Sequence, residues 1–133
     1  MKTTLSAIAF LVLSGCALTT VSPDQLQRGS ADGVTFTTTG KPTYDEVWRA
    51  ATKAMGTGMT IVESHKPSGT IKSRVGAAPA GKVVAFFITP TTATAPEYVI
   101  ELVSKKPPGM GQPERRNWEP SVVEDFKAAL GAK

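Results

Sequence analysis

The chain has 133 residues, of which 41% are hydrophobic and 20% charged, and its net charge is +4. These values predict one globular domain and argue against a disordered chain. The basic excess is mild and scattered, whereas nucleic-acid-binding proteins concentrate Lys and Arg on one face. The single cysteine excludes an internal disulfide bond and a zinc site with several Cys ligands. We therefore expect no nucleic-acid partner, no metal and no cofactor.

The N-terminal residues have the layout of a bacterial lipoprotein signal. Lys2 gives a positive start, an apolar run covers Leu5 to Leu13, and two small residues precede Cys16. The run is too short to span a bilayer, which needs about 20 apolar residues. The sequence Leu13-Ser14-Gly15-Cys16 resembles the lipobox of bacterial lipoproteins. That resemblance implies cleavage after residue 15, a diacylglycerol thioether on Cys16 and acylation of its new amine, usually with palmitate-like chains.

The residues after Cys16 indicate where the protein is held. In the lipoprotein sorting pattern, an Asp after the lipidated Cys retains a protein at the inner membrane, so Ala17 implies the outer membrane, with the domain facing the periplasm. Residues 16–32 show no helical or alternating period, and Pro and Gly interrupt them. We expect a flexible tether there, with an average span of roughly 20–25 Å. The predicted boundaries are a signal peptide at 1–15, the lipidated Cys and tether at 16–32, and one domain at 33–131.

The domain opens with a predicted strand and the clearest predicted helix. Val34 and Phe36 alternate with threonines, which is typical of a strand. Thr43 and Glu46 fit a capping box at the start of a helix that ends at Gly56 or Gly58. Helical spacing predicts an apolar face for this helix, formed by Tyr44, Val47, Trp48, Ala51 and Met55.

Three further strands and a second helix follow. Residues 59–65 and 70–75 alternate about a tight turn, Lys66 to Gly69, and predict a hairpin. Residues 82–89 are almost continuously apolar, and residues 97–104 alternate again. Pro120 suits the first turn of a helix at 119–131. The order β-α-β-β-β-α predicts an α+β fold, in which an antiparallel sheet of about five strands carries two helices on one face.

The apolar strand 82–89 raises the question of the second sheet face. We place Val84, Phe86 and Ile88 under the helices. The alternate residues of the strand, its second parity, then lie on the other face of the sheet. An open antiparallel face is normally polar, as Thr60 and Ser64 would be, yet this parity is apolar. It predicts an apolar patch that binds a protein partner or a second copy of the chain, with Phe87 as its anchor: Val83, Ala85, Phe87, Val99 and Val103, with Val62 as a further member. The alternative is that the tether or the long loop 105–117 covers this face, and the sequence leaves both open.

The residues that could carry chemistry do not form a recognisable set. His65 is the single histidine and borders a turn, with no nucleophile or metal ligand near it in sequence. Glu63, Glu97 and Glu101 have no spacing that requires a carboxylate pair. The basic loop after Lys105 could contact anionic lipids, although a solvated loop is the simpler interpretation. We expect a protein without enzymatic activity.

A family resemblance agrees with this interpretation. The run "TYDEVWRAATKAM" followed by "GMTIVESHKPSGTIKSR" resembles small bacterial lipoproteins of uncharacterised function, which share a helix starting YD-x-V(W/F), a strand and a turn ending Gly-Thr-Ile. The layout is also similar to the helix-grip modules of the C-type accessory lipoprotein of the β-barrel assembly machine, which has two modules where this sequence has one. The resemblance implies a non-enzymatic protein-binding or envelope-assembly role. A small-ligand binder that uses the groove between sheet and C-terminal helix is the alternative, and an envelope hydrolase is the third.

Overall fold

The computed structural model of the protein describes residues 21–30, 33–76, 81–92, 94, 96–105 and 118–132. The predicted signal peptide, Cys16 with Ala17, and most of the loop 105–117 lie outside the described residues. No helix in the described part of the chain combines the length and the apolar character that crossing a bilayer requires.

The described elements confirm the predicted α+β class and its β-α-β-β-β-α order. All five strands form one antiparallel sheet in the order β1-β5-β4-β3-β2, so β1 and β2 are its edges. The elements are β1 (Val34–Thr37), α1 (Tyr44–Gly56), β2 (Thr60–His65), β3 (Thr70–Val75), β4 (Lys82–Pro90), β5 (Tyr98–Lys105) and α2 (Trp118–Gly131).

Both helices pack on one face of the sheet, and they cover the alternate residues of β4 that the sequence predicts to lie beneath them. Val84, Phe86 and Ile88 belong to the same buried cluster as the inner sides of α1 and α2. The rings of Phe86 and Phe126 have centroids 5.2 Å apart at a tilted angle, an arrangement that aromatic pairs favour. The helix face of the sheet is therefore the main hydrophobic core.

The start of α1 has the predicted capping box. The Thr43 side chain accepts a hydrogen bond from the Glu46 amide at 3.2 Å, and the Glu46 carboxylate accepts one from the Thr43 amide at 2.7 Å. Two of the amides that a helix start leaves unpaired are thereby satisfied. Trp48 is half-buried and packs against the edge of the core.

Strand β2 departs from the simple alternation expected for residues 59–65. The register shifts between Ile61 and Glu63, so Val62 forms a bulge and remains 47% exposed. A bulge reverses which face the following residues occupy. Glu63 therefore lies opposite Lys72, with which it forms an ion pair at 3.4 Å. The expectation that Val62 joins the apolar patch is wrong, and Ser64, expected on the second face, lies opposite Ile71 on the helix side instead.

The predicted flexible tether also differs from the structure. Residues 21–30 cross the second face of the sheet and contain one 3₁₀ turn, Pro23–Gln25, capped by Ser22. Val21 and Leu26 are each 3% exposed. These two side chains cover the apolar residues of β4 that face away from the helices. The free energy gained by this burial offsets the conformational entropy lost when the segment becomes ordered. The described fold thus includes residues 21–30, which precede the predicted domain boundary at residue 33. We call residues 21–30 the strap.

Candidate functional site: two surfaces of the sheet

The first candidate surface is the sheet face under the strap. Val83, Ala85, Phe87 and Val103, which we call the strapped face, share one buried cluster with Val21 and Leu26 of the strap. None of the strapped-face residues is more than 4% exposed. Val99, the fifth residue predicted for a partner, lies opposite Thr37 and Thr89 and is half-buried.

Polar contacts fix the strap at its C-terminal end. The Arg28 guanidinium donates to the Ile88 carbonyl at 3.1 Å, and also to the Thr89 hydroxyl and the Ser68 carbonyl. Its central carbon lies 5.2 Å from the centroid of the Phe87 ring, within the range of a cation–π contact. Arg28 thus ties the strap to the β2–β3 turn and the end of β4. We call this the Arg28 end of the sheet.

The other end of the strap is held by Arg74. The Arg74 guanidinium donates to the carbonyls of Val21 and Gly81, each at 3.3 Å. Near the C-terminal end of the strap, the Gly29 amide donates a hydrogen bond to the Glu101 carboxylate at 2.7 Å. The strap therefore runs from the Val21 end, where β3 finishes and β4 begins, to the Arg28 end.

The strap bears directly on the predicted partner-binding patch. Four of the five predicted residues are covered by the chain's own strap. A partner or a second copy would reach Phe87 only after displacing Leu26 and the Arg28 contacts. Of the two sequence-based alternatives for this face, the structure shows the one in which the tether covers it.

The second candidate surface is a groove of about 690 Å³ between β1, the loop that follows it, and the C-terminal half of α2. Its apolar lining comes from both sides of the groove: Phe36, Phe126 and Leu130. Two cations, Lys41 and Lys127, also line it, and the Lys127 ammonium lies 5.3 Å from the centroid of the Phe36 ring. We call this the β1–α2 groove. Its loop, residues 38–42, follows the last residue of β1, so the groove opens towards the Arg28 end.

The outer edge of β1 runs beside this groove. The Thr38 amide donates to the Tyr98 carbonyl at 2.9 Å. Bonded and non-bonded pairs alternate in an antiparallel ladder, so Phe36 also bonds to β5, and Thr35 and Thr37 direct their amides and carbonyls outward. In the described ranges, no strand pairs with this edge.

The two edges of the sheet differ in how they are protected. At β2, the bulge at Val62 and the side chains of Glu63 and His65 disrupt a regular edge, which is how proteins prevent strand addition. Strand β1 is short but has no charge, proline or bulge. It is the edge to which an extended chain can add.

The residues that were considered as candidates for chemistry, and for which a structural role was expected, make structural contacts. His65 Nδ1 lies 2.8 Å from the Ser68 hydroxyl and accepts the Ser68 amide at 3.3 Å, which caps the 3₁₀ turn Lys66–Ser68. Sequence reasoning missed Ser68, although the i, i+3 spacing is a turn-capping signal. Glu63 and Glu101, paired with Lys72 and Gly29, lie on strands that β3 and β4 separate. No cluster of three metal-binding side chains occurs among the residues described.

The β2–β3 turn is also joined to the start of α1. The Tyr44 hydroxyl donates to the Lys66 carbonyl, and the Lys66 ammonium lies 2.6 Å from the Asp45 carboxylate. Burial raises the pKa of Tyr44, whereas the hydrogen bond from Lys66 lowers the pKa of Asp45. These contacts hold the Arg28 end of the domain together next to the groove.

Comparisons with known proteins provide no relative from which a function could be transferred. No protein-family model matches this chain, and no curated protein matches its sequence. A function must therefore be argued from the two surfaces. These are the strapped face, which the strap covers, and the β1–α2 groove, which is open beside an unpaired edge.

Proposed function

We propose that the chain is a lipid-anchored, periplasm-facing outer-membrane protein that binds an extended segment of a protein partner and has no enzymatic activity. The observation that carries the proposal is the unpaired edge of β1 beside the β1–α2 groove. Strand addition at a free edge is a common mode of peptide recognition, in which main-chain hydrogen bonds give affinity and pockets for alternate side chains give specificity.

The geometry of β1 fits this mode. The outward amides and carbonyls of Thr35 and Thr37 match the spacing of an added antiparallel or parallel strand. Every second side chain of that strand would project to the helix side, as Phe36 does, and enter the groove. Phe126 and Leu130 favour apolar side chains there.

The charges of the groove favour an acidic residue in the partner. Lys41 and Lys127 line it, and the carboxylate that also lines it, Glu46, accepts the hydrogen bond of the α1 capping box. Opposite charge raises the rate of encounter and disfavours basic segments. The proposed ligand is therefore an extended segment that alternates apolar residues with polar ones and carries Asp or Glu.

The lipid anchor supports the same arrangement. The lipobox at Cys16 attaches the chain to the membrane through acyl groups, each buried CH₂ contributing about 0.8 kcal/mol. Residues 17–20 connect Cys16 to the Val21 end, and the groove opens at the opposite end of the sheet. The binding groove thereby faces away from the anchor, where an envelope partner is accessible.

A small apolar ligand is the second candidate occupant of the groove. The observation in its favour is the volume of about 690 Å³, which falls within the usual range of ligand pockets. An apolar ligand would raise the melting temperature without requiring the β1 edge. The hydrolase alternative has no support in the described residues, where the Ser68–His65 contact is a turn cap.

Nuclear magnetic resonance with a matched pair of variants tests the proposal. We would titrate the isotope-labelled lipidated chain in detergent with a synthetic peptide that alternates Val and Thr around one Asp. The expected result is amide shifts at Thr35, Thr37 and Leu130. Thr37→Pro removes an outward amide and blocks the added strand, whereas Thr37→Val leaves the backbone intact.

The outcome divides the candidates clearly. Binding that survives Thr37→Val but is lost in Thr37→Pro supports strand addition. Binding that survives both variants contradicts strand addition and favours a side-chain pocket. Shifts confined to Ala85, Phe87 and Val103 would instead place the partner on the strapped face, as the sequence-based prediction has it.

A further inference from the structure

We infer that the Val21 end of the sheet rests on the membrane surface and that Arg74 and Lys105 face anionic lipid headgroups there. This inference rests on the proposed lipidation of Cys16. It adds a second interaction surface, distinct from the β1–α2 groove, and fixes the orientation of the domain.

The first argument is the length of the segment that connects Cys16 to Val21, which we call the leash. Val21 is 3% exposed and packed on the sheet, so the chain between the anchor and the folded domain runs only from Cys16 to Val21. Those 21 − 16 = 5 residue steps reach at most about 18 Å when fully extended. A free 16-residue tether could extend to about 55 Å. The strap therefore keeps the Val21 end close to the membrane.

The contacts of Arg74 give the second argument. Its guanidinium donates to the Val21 carbonyl at the point where the leash meets the sheet. The other acceptor, the Gly81 carbonyl, is also uncharged. Arg74 is thus held at the exit of the leash by neutral partners, and its positive charge is not compensated by them.

The sheet register places a second cation on the same row. Thr60, Arg74, Val83 and Lys105 lie opposite one another across β2, β3, β4 and β5. Lys105 is exposed at the end of β5. Lys82 lies on the other face of the sheet, where its ammonium forms an ion pair with the Glu119 carboxylate at 3.7 Å. That carboxylate is therefore paired with Lys82, on the face opposite Arg74 and Lys105.

Distance and charge together identify the partner as an anionic membrane surface. Basic groups are attracted to anionic headgroups only within about a Debye length, roughly 8–10 Å in physiological salt. The short leash allows Arg74 and Lys105 to come within that range when the Val21 end rests on the membrane. In that orientation, cations at the far end of the sheet, such as Lys41, lie outside it.

Fluorescence quenching from defined positions tests the orientation. Lipidation consumes the thiol of Cys16, so Thr60→Cys at the Val21 end and Thr39→Cys beyond β1 each provide a unique labelling site. The lipidated full chain would be reconstituted into phosphatidylcholine vesicles with a headgroup-attached quencher, with or without phosphatidylglycerol. We expect several-fold stronger quenching at position 60 than at position 39, and an increase at position 60 when phosphatidylglycerol is present.

Matched charge variants test the headgroup contact. Lys105→Glu and Lys41→Glu change the net charge equally. Only Lys105→Glu should remove the increase that phosphatidylglycerol causes at position 60. Insertion of twelve Gly and Ser residues between Thr20 and Val21 should weaken quenching at position 60 in both lipid mixtures, because it lengthens the leash.

The results that would overturn the inference are separable from failure of the anchor. Equal quenching at positions 60 and 39 would show that the domain has no fixed orientation. Quenching at position 60 that responds neither to phosphatidylglycerol nor to Lys105→Glu would show that the cations do not bind headgroups. Mass spectrometry that finds Cys16 unmodified would instead contradict the proposed lipoprotein itself.

Discussion

Phe87 illustrates how one side chain depends on the strap. It is 4% exposed, shares a cluster with Leu26, and lies under the Arg28 guanidinium. We expect Phe87→Ala to lower the free energy of unfolding by about 3–5 kcal/mol, because a large buried ring is removed and a cavity is left. Urea denaturation measures this, and Val62→Ala at the exposed bulge is the matched control, with an expected change below about 0.5 kcal/mol. Equal midpoints for the Phe87→Ala variant and the unmodified chain would mean that the strap leaves this face open in solution.

The Asp45–Lys66 ion pair predicts a dependence on pH. The pKa of Asp45 is lowered from 3.8, first by the hydrogen bond from Lys66 and then by its charge. A carboxyl group with a depressed folded-state pKa stabilises the fold above its unfolded value, and this contribution is lost as the pH falls through the folded-state pKa. The unfolding midpoint of the unmodified chain should therefore exceed that of Asp45→Asn at neutral pH, and the difference should shrink as the pH falls below 3.8 and vanish once the pH is below the folded-state pKa.

Because the Asp45 side chain is exposed, the size of this difference should be small and sensitive to salt. Denaturation at two salt concentrations, at neutral and at acid pH, provides the check. A difference that is independent of both salt and pH would show that Asp45 acts through packing or through the helix start, and not through Lys66.

At the scale of elements, the features that depend on residues close together in sequence could be predicted from the sequence. The capping box of Thr43 and Glu46 is readable because its partners lie three residues apart. The burial of Phe86 under the helices is readable because a strand alternates strictly. The bulge at Val62 was missed because two residues opposite one partner leave no mark on the sequence of β2 alone.

The sequence analysis named the tether as one possible cover of this face, but the ordered conformation of the strap was not predicted, for a different reason. It buries two side chains, Val21 and Leu26, that are separated by a 3₁₀ turn and share no helical or strand period. Its fixed conformation depends on distant partners, since Arg28 bonds to Ser68 and Ile88. The apolar parity of β4 signalled that something covers this face, but the sequence offered no means of choosing the segment.

The strap should open separately from the sheet. We expect Leu26→Ala to raise amide hydrogen exchange across residues 21–30 by one to two orders of magnitude, because about 2–3 kcal/mol of burial is lost from a short element. Exchange in β3, β4 and β5 should change much less. Gln27→Ala, at an exposed neighbouring position, is the control. An equal rise throughout the sheet would show that the strap and the sheet unfold as one unit.

At the scale of the whole molecule, the two proposals assign one interaction to each end of the sheet, and the strap joins the two ends. The Val21 end carries the leash and the row that contains Arg74 and Lys105. The Arg28 end carries the β1–α2 groove and the turn joined to α1. Under the proposed lipidation of Cys16, releasing the strap would both lengthen the leash and uncover Phe87, which would link orientation at the membrane to access to the strapped face.

The proposed lipid anchor is tested at Cys16. A diacylglycerol thioether requires the thiol, so Cys16→Ser should abolish lipidation and leave the signal peptide uncleaved. Intact-mass spectrometry of the unmodified chain should find an N-terminus at residue 16 with added acyl mass, and the variant should retain residues 1–15. Ser14→Ala, a small-for-small change inside the lipobox, is the matched control and should still be processed. An unmodified Cys16, or a mature N-terminus elsewhere, would contradict the lipoprotein proposal and leave the described sheet, strap and β1 edge unaffected.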